Sequence, residues 1–394
     1  MKILVIGCGQ CGGRIADEFV RLNEKARKQR GIQIVTACYA VNTDMADLAG
    51  LRFLKSDAHH RIIIGNQKTG AHGVGKINEI GAEIARDESD KVMSAIRRTE
   101  NFLETDAFLI AASAAGGTGS GSIAVLTQQI KEYFPEKPVY NLIVLPFKHE
   151  ELTEERIIYN TGTCLKSAFL VADAVFLVDN QGFVRNNLSL RNNLNAINSL
   201  VTEPFYNLLC AGEEKKPEYI GSRVLDAGDI IQTLSGWTSI GYGTERETLR
   251  EPIFRFFEKN DGDFRDKAVK AQEESRAMFT ALDGLSLRCN PADARRALYL
   301  LCSPPDKMNM DLVEALGNIL KSLARDAVIR SGDYPRTKRS RDVTVILSDL
   351  KNVGRINDFF TKVILYISTR KKQRGVQSED RQLEEAFKDI PTLI

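Results

Sequence analysis

The chain has 394 residues, 43% of them apolar, and its 54 Lys and Arg residues nearly balance its 52 Asp and Glu residues. This length suffices for two domains, and the small net charge argues against nucleic-acid binding. Because no apolar run approaches the ~20 residues that cross a bilayer and the seven cysteines form no disulfide pattern, we expect a cytoplasmic protein without direct membrane insertion.

The first half of the chain alternates short apolar runs with longer helical patterns. Strands are predicted at Lys2–Ile6, Ile34–Val41, Ala107–Ala112, Val139–Leu145 and Ala174–Val178. Helices are predicted at Arg14–Lys28, Lys76–Thr99, Ser122–Phe134 and Glu151–Val171. Strands that are apolar throughout and separated by helices indicate a parallel sheet covered on both faces. Such a sheet binds its ligands at the carboxyl ends of its strands.

The second half has a different texture. A long helix at Leu188–Leu209 is followed by a hinge at Ala211–Asp229, and then by a smaller α/β domain. Its strands are predicted at Trp237–Tyr242, Ala297–Cys302, Val343–Leu347 and Lys362–Ile367, and its helices near Asp266–Leu282 and Asp311–Val328. A short helix is predicted at Glu379–Lys388. We divide the chain into residues 1–187, 188–210 (central helix), 211–236, 237–369 and 370–394 (charged tail).

The first glycine-rich loop, Gly7–Arg14, lies between a predicted strand and a predicted helix. Glycine lets the backbone turn tightly beside a phosphate, and free N–H groups at a helix start point at the anion. Gly7, Gly9 and Gly12 also satisfy G-x-G-x-x-G. Taken alone, this loop therefore supports an NAD-dependent oxidoreductase about as well as any other nucleotide-binding protein.

The second glycine-rich loop, Gly116–Gly121, also lies between a predicted buried strand and a predicted helix. Its four glycines, with Thr118 and Ser120, form another concavity lined by backbone amides. A nicotinamide domain normally needs one such loop, whereas two loops indicate a polyphosphate held from both sides. A P-loop at Gly70–Lys76 is rejected, because Ile77 stands where Ser or Thr must bind magnesium.

Three motifs resemble those of the tubulin/FtsZ superfamily. Residues 116–121 (GGTGSG) resemble the tubulin signature GGGTGSG, with Ala115 in place of its first glycine. Gly9–Gly12 (GQCG) resembles the first nucleotide loop of tubulin, and Val41–Asp44 (VNTD) resembles the second loop of FtsZ. This mixture is most similar to CetZ, the archaeal tubulin-like cell-shape proteins. The resemblance implies a Rossmann-like GTPase domain, a long central helix and a smaller C-terminal α/β domain.

The resemblance also implies a GTP/GDP site. In it the glycine loops would bind phosphates, Glu150 the ribose, and Asn180 and Asn195 the guanine base, whose edge suits the paired donor and acceptor of an amide. The implied binding residues are Gly9, Gln10, Cys11, Gly12, Gly13, Arg14, Asn42, Asp44, Gly73, Gly116, Gly117, Thr118, Gly119, Ser120, Glu150, Asn180 and Asn195. Mg²⁺ would be held mainly through the phosphates, with no separate metal site on the protein.

Asp226 and Asp229 are the residues to which the resemblance assigns catalysis. They fall in a segment, Val224–Asp229, that resembles the N-x-D-x-x-D pattern of FtsZ, with Val224 in place of the asparagine. In the family such carboxylates act on the nucleotide of the neighbouring subunit. On spacing alone, both aspartates could equally be helix-capping residues.

The sequence therefore predicts a filament-forming GTPase that assembles head to tail with itself and controls cell shape. Alternatives are an FtsZ-like division-ring protein, a GTP-binding scaffold that does not hydrolyse GTP, and, more remotely, an NAD-dependent oxidoreductase. The last residues, Asp389–Ile394, resemble the FtsZ tail peptide that binds adaptor proteins. A possible adaptor site at the C-terminal tail follows from that resemblance.

Overall fold

The computed structural model describes residues 1–183, 190–246, 276–338 and 340–374. Side chains are described throughout except at 190–195, 246 and 370–374. The predicted helix at Glu379–Lys388 and the adaptor motif at Asp389–Ile394 lie outside the described residues. The predicted helix at Asp266–Leu282 lies largely outside them.

The strands in the described part of the chain form one sheet. They are β1 (Ile3–Cys8), β2 (Val35–Asn42), β3 (Arg61–Ile63), β4 (Ala107–Ser113), β5 (Val139–Leu145), β6 (Ala174–Asp179), β7 (Gly236–Arg246), β8 (Ala294–Ser303), β9 (Val328–Pro335) and β10 (Ser340–Leu350). Their order across the sheet is β3-β2-β1-β4-β5-β6-β7-β10-β8-β9. Neighbours from β3 to β7 pair in parallel, whereas β10 is antiparallel to both β7 and β8.

The helices connect these strands and cover the sheet. They are α1 (Gly9–Arg30), α2 (Met45–Ala49), α3 (Asn66–Thr69), α4 (Asn78–Asp87), α5 (Ser89–Arg97), α6 (Thr118–Tyr133), α7 (Lys148–Thr153), α8 (Glu155–Val171), α9 (Leu190–Ala211), α10 (Ala227–Thr233), α11 (276–283), α12 (Met310–Leu323) and α13 (Gly354–Arg374). The α/β fold with a long central helix, α9, is the predicted one.

The parallel strands are apolar because both of their faces are covered. Along β1, Leu4 and Ile6 pack in a core shared with α4, α5, α6 and α8, whereas Ile3 and Val5 pack in a second core shared with α1 and α9. All six residues of β1 are buried. This two-sided burial explains the continuous apolar runs from which the strands were predicted.

One predicted strand is wrong, because Lys362–Ile367 forms part of helix α13. Within this short run the residues are mostly apolar, which favours a strand. The buried residues Ile356, Phe359, Val363 and Ile367 nevertheless recur every three or four positions, as in a helix packed on one side. Val363 lies against Gly162 of α8, at the centre of that contact.

The structure differs from the predicted elements at three further places. The single helix predicted at Lys76–Thr99 is two helices, α4 and α5, which meet at Glu88. Strand β9 was not predicted, because it is an edge strand of mixed polarity that contains Gly332 and ends at Pro335. Strand β3 is only three residues long.

Candidate functional site

The two glycine-rich loops lie side by side at the carboxyl edge of the sheet. Strands β1 and β4 are paired, so the loops that follow them meet. Gly9 has a φ of +70°, and a Cβ there would lie 3.0 Å from the backbone nitrogen of Gly119. A Cβ at Gly119 would lie 2.8 Å from the carbonyl oxygen of Cys8. Only glycine allows this backbone-to-backbone contact at both positions.

Two helix N-termini converge where these loops meet. Helix α1 begins at Gly9 and α6 at Thr118, and neither has a capping side chain among the described residues or an acidic residue in its first turn. The first four N–H groups of a helix lack intrahelical partners and carry a partial positive charge. Of the predicted residues in the first turns of α1, Gln10, Cys11 and Arg14 are at least partly exposed, whereas Gly12 and Gly13 are buried, and a Cβ at Gly12 would lie 2.0 Å from the carbonyl oxygen of Ala111. The arrangement suits a polyphosphate anion.

The loop after β2 packs against the first glycine loop through Asp47. The buried Asn42 donates from Nδ2 to Asp47 Oδ2 at 3.1 Å, and Gln10 donates from Nε2 to Asp47 Oδ1 at 2.6 Å. Asp44 caps α2 by accepting from the backbone N–H groups of Ala46 and Asp47. Asn42 and Gln10 are thus held together by a carboxylate that the sequence did not single out.

A pair of threonine hydroxyls connects the loop after β2 to the second glycine-rich loop. Thr43 Oγ1 lies 2.6 Å from Thr118 Oγ1, and both side chains are buried. The carbonyl oxygen of Thr43 accepts from the backbone N–H of Gly73 at 3.0 Å, and Gly73 has a φ of +80°. The predicted residues Asn42, Gly73 and Thr118 are therefore brought to one place.

Asn160, in α8, donates hydrogen bonds to the backbone beside the second glycine-rich loop. Its buried side chain donates from Nδ2 to the carbonyl oxygens of Lys76 at 2.9 Å and Ala115 at 3.1 Å. Ser120 donates from Oγ to the carbonyl oxygen of Gly116 within the loop. Asn160 lies in mid-helix, where nothing in the sequence pattern distinguishes it from a surface residue.

Glu150 and Asn180 lie in the loops after the neighbouring strands β5 and β6. Glu150 Oε2 accepts from the backbone N–H of Phe147 at 2.8 Å, so one oxygen of this carboxylate caps α7. Asn180 is 9% exposed, and its Oδ1 has no hydrogen-bond partner among the described residues. A buried amide oxygen without a partner is costly in a folded protein, which favours a ligand there. The side chain of Asn195, in α9, lies outside the described residues.

Arg156 contacts Asn78 and Glu79 at the start of α4, and its NH2 donates to Asn78 Oδ1 at 3.4 Å. The structure places it in the contact between α4 and α8.

The acidic residues lie at the other edge of the sheet. The amino group of Met1, just before β1, donates to the carbonyl oxygen of Leu209 near the end of α9 at 3.1 Å. Gly212 lies three residues after Leu209, and a Cβ at Gly212 would lie 2.8 Å from the carbonyl oxygen of Leu225, the residue before Asp226. Strand β1 has six residues, a length of about 20 Å at ~3.3 Å per residue, and it separates this edge from the glycine loops. Asp226 therefore cannot reach a phosphate held by its own subunit.

Asp226 and Asp229 share the first turn of α10. Asp226 is exposed and caps the helix, accepting at Oδ1 from the backbone N–H of Asp229 at 2.9 Å. Asp229 Oδ1 lies 3.3 Å from Nε of Arg330 on β9, and its side chain is 39% exposed. Asp226 therefore has the helix-capping role, and the carboxylates of Asp226 and Asp229 are also at least partly exposed.

Asp333 on β9 fixes the segment before Asp226. It is buried, and its two carboxylate oxygens accept from the backbone N–H groups of Ser222 at 2.9 Å and Arg223 at 2.6 Å. A Cβ at Gly221 would lie 2.0 Å from the carbonyl oxygen of Asp333. This attachment was not predicted, because β9 itself was not.

Burial keeps the thiols of the C-x-x-C sequence protonated. Burial raises the pKa of Cys8 to about 12 and that of Cys11 to about 12. Thiolate, rather than thiol, binds metals and attacks electrophiles. We expect iodoacetamide at about pH 8 to leave the fully buried Cys8 unmodified in the folded protein and to alkylate it in urea, as measured by peptide mass spectrometry. Rapid labelling of Cys8 in the folded state would contradict this.

No helix among the described residues is both long and apolar enough to span a bilayer. Within the same residues, no group of three or more His, Cys, Asp or Glu side chains is arranged to hold a metal ion.

Comparison with known proteins gives matches along most of the chain. Residues 2–187 match the family described as the GTPase domain of the tubulin/FtsZ family, and residues 187–364 match the C-terminal domain of tubulin-like CetZ. Tubulin-like protein CetZ1 of Haloferax volcanii is 32% identical over 377 residues, covering 91% of this chain and 90% of the relative. The NAD-dependent oxidoreductase alternative has no counterpart in these matches.

Two solved structures from the same organism have a similar fold. The GDP-bound monomer of CetZ1 is 29% identical, with a TM-score of 0.77, and the match covers 92% of this chain and 99% of that one. The GTPγS-bound protofilament of CetZ2 is 28% identical, with a TM-score of 0.78, and the match covers 94% of this chain and 100% of that one.

Proposed function

The chain belongs to the tubulin/FtsZ family, with a CetZ-type C-terminal domain, and on this basis we propose that it is a filament-forming GTPase of the cytoplasm that controls cell shape. Residues 1–187 bind GTP, the central helix 188–210 follows them, and the segment 211–236 acts on the neighbouring subunit. The C-terminal domain is 237–369. The subunits assemble head to tail; the solved GTPγS-bound protofilament of CetZ2 supports self-association of this kind.

One observation supports this proposal above the others. The glycine loops lie at the carboxyl edge of the sheet, and Asp226 lies at the amino edge, near Met1 and Leu209. A subunit therefore has a phosphate site at one end and exposed carboxylates at the other. Stacking subunits head to tail repeats one heterologous contact, and it brings the acids of each subunit to the phosphates of the next.

In this proposal, each group has a separate task. The N-termini of α1 and α6 bind and neutralise the phosphates, and Asn180 with Asn195 contacts guanine while Glu150 contacts the ribose. Asp226 and Asp229 of the adjoining subunit orient the attacking water. Mg²⁺ accompanies the nucleotide, held mainly through the phosphates, and supplies charge neutralisation at the transferring group.

The test of this function is the dependence of GTP hydrolysis on protein concentration. Because each site is completed by a second subunit, phosphate release per subunit is expected to be near zero at low concentration and to rise once filaments form. Sedimentation of the same samples should show polymer at the same threshold. Activity per subunit that stays constant on dilution would refute catalysis between subunits.

Val224 gives the non-hydrolysing alternative its specific support. It replaces the asparagine of the FtsZ pattern and is 41% exposed, next to Asp226. A protein that forms filaments with GTP but releases no phosphate at the highest concentration would be a GTP-binding scaffold. The same measurement therefore separates the two functions.

A further inference from the structure

Arg355, near the start of α13, contacts both loops that carry the proposed nucleoside-binding residues. Its guanidinium pairs with Glu151 and donates from NH2 to the carbonyl oxygen of Pro146 at 3.5 Å, both in the loop after β5. Its Nε lies 3.4 Å from Asp179 Oδ2, at the end of β6. One side chain from the C-terminal part of the chain thus connects two loops of the nucleotide half.

The centre of this cluster is largely excluded from solvent, and its rim is more exposed. The side chain of Glu151 is 3% exposed and that of Arg355 is 11% exposed, whereas those of Asp179 and Lys362 are 20% and 42% exposed. Lys362 lies seven residues further along α13 than Arg355 and donates from Nζ to Glu151 Oε2 at 2.6 Å. Two cations therefore balance the two carboxylates of Glu151 and Asp179. Removing one partner of such a buried set leaves a charge uncompensated, which forces the local structure to rearrange.

The two carboxylates that Arg355 contacts are adjacent in the sequence to the proposed nucleoside-binding residues. Glu151 directly follows Glu150, and Asp179 directly precedes Asn180, whose Oδ1 lacks a partner among the described residues. Both loops follow neighbouring strands, so their relative position sets the distance between Glu150 and Asn180. Arg355 links them through its side chain, in addition to the hydrogen bond that the backbone N–H of Lys148 donates to Gln181 Oε1 at 3.3 Å.

We propose that Arg355 is a positioning residue for guanine recognition, which holds the loops of Glu150 and Asn180 at the spacing that the nucleoside requires. This inference rests on the proposed GTP binding. Helix α13 supplies a firm base, because Val363 packs on Gly162 and the guanidinium lies 4.5 Å from the centroid of the Phe359 ring. The phosphate loops, which Arg355 does not contact, bind independently of it.

The experiment compares the affinities of the full-length protein for GTP and for ATP, by calorimetry or displacement of a fluorescent nucleotide. Arg355→Gln is expected to weaken GTP binding by about tenfold, the scale of one displaced hydrogen bond to the base, and to weaken ATP binding less, because ATP shares the ribose contact but not the guanine contact. The GTP-to-ATP preference therefore falls. Arg355→Lys should fall between, since an ammonium lacks the planar fork that reaches two loops.

A matched control is available at the far edge of the sheet. Arg30 and Glu214 form a pair at 3.4 Å with side chains 10% and 1% exposed, similar to Arg355 and Glu151. Arg30→Gln should lower the melting temperature to a comparable degree and leave the GTP-to-ATP preference unchanged. A purely structural role for Arg355 would make the two variants behave alike.

Three outcomes are distinguishable. If the unaltered protein shows no preference for GTP over ATP, the proposed function fails. If it prefers GTP and folded Arg355→Gln keeps the full preference, only the inference about Arg355 fails. Should Arg355→Gln not fold, Arg355→Lys decides, because a folded lysine variant with unchanged preference overturns the inference equally.

Discussion

Replacing Asp226 and Asp229 together with asparagine is expected to lower GTP hydrolysis by about 100-fold or more, the usual contribution of a positioned acid or base, while GTP binding changes little. The carboxylates lie a strand length away from the glycine loops of their own subunit, so they cannot contribute to binding there. Asparagine caps a helix as well as aspartate does, so the α10 cap is retained. Phosphate release and nucleotide affinity are measured on the same protein.

The choice of asparagine separates catalysis from folding. Asp229 also pairs with Arg330, but this pair is exposed enough to contribute only about 0–1 kcal/mol to the free energy of unfolding. A control, Asn309→Ala, removes the N-cap that Asn309 provides to α12 by accepting from the N–H of Leu312. That variant should lose stability and keep its hydrolysis rate. Loss of binding and hydrolysis together in the Asp226 and Asp229 variant would show that these residues are structural.

The parallel strands of the nucleotide half could be predicted because each one is marked by consecutive apolar residues in the sequence. A parallel strand buried on both faces leaves a continuous apolar run, and β5 begins and ends where the sequence placed it, at Val139 and Leu145. Strand β9 and helix α13 were missed because their conformations depend on distant partners. Val328, at the start of β9, is 61% exposed, and the buried stripe of α13 emerges only when Ile356 and Phe359 are considered together with Val363.

The candidate site likewise contains residues that the sequence predicts and residues that it does not. Glycines beside a phosphate are visible in the sequence, because each position has a stereochemical reason to lack a Cβ, as Gly9 and Gly119 do. The residues that hold the loops in place give no such signal. Asn160, Asp333 and Arg355 act through contacts with residues dozens to hundreds of positions away, and only the folded chain brings them together.

Gly119→Ala is expected to weaken the binding of both GTP and GDP by roughly tenfold to a hundredfold. The added methyl group would lie 2.8 Å from the carbonyl oxygen of Cys8 and 3.3 Å from Cβ of Ala112, so the two glycine loops must move apart. Overpacking of this kind costs about 1–3 kcal/mol, and each ~1.4 kcal/mol is a tenfold change in affinity. The measurement is calorimetric titration with each nucleotide.

Gly354→Ala is the matched control for this substitution. A Cβ at Gly354 would meet no described atom within 4 Å, and the position lies outside both glycine loops. Its nucleotide affinity should equal that of the unaltered protein. If Gly119→Ala also binds normally and melts at the same temperature, the close contact between the loops does not determine the phosphate site.

Mixing the two defective proteins tests whether one active site is built from two subunits. The Asp226 and Asp229 variant keeps a sound nucleotide site, and Gly119→Ala keeps sound carboxylates. In a randomly mixed head-to-tail filament, about a quarter of the interfaces join a sound site to a sound acidic loop. At a GTP concentration that saturates the Asp226 and Asp229 variant but not Gly119→Ala, phosphate release from the equal mixture should therefore exceed the sum of the two proteins measured separately. A strictly additive rate would mean that no subunit supplies acids to its neighbour, because restored activity requires a contact that neither variant makes alone.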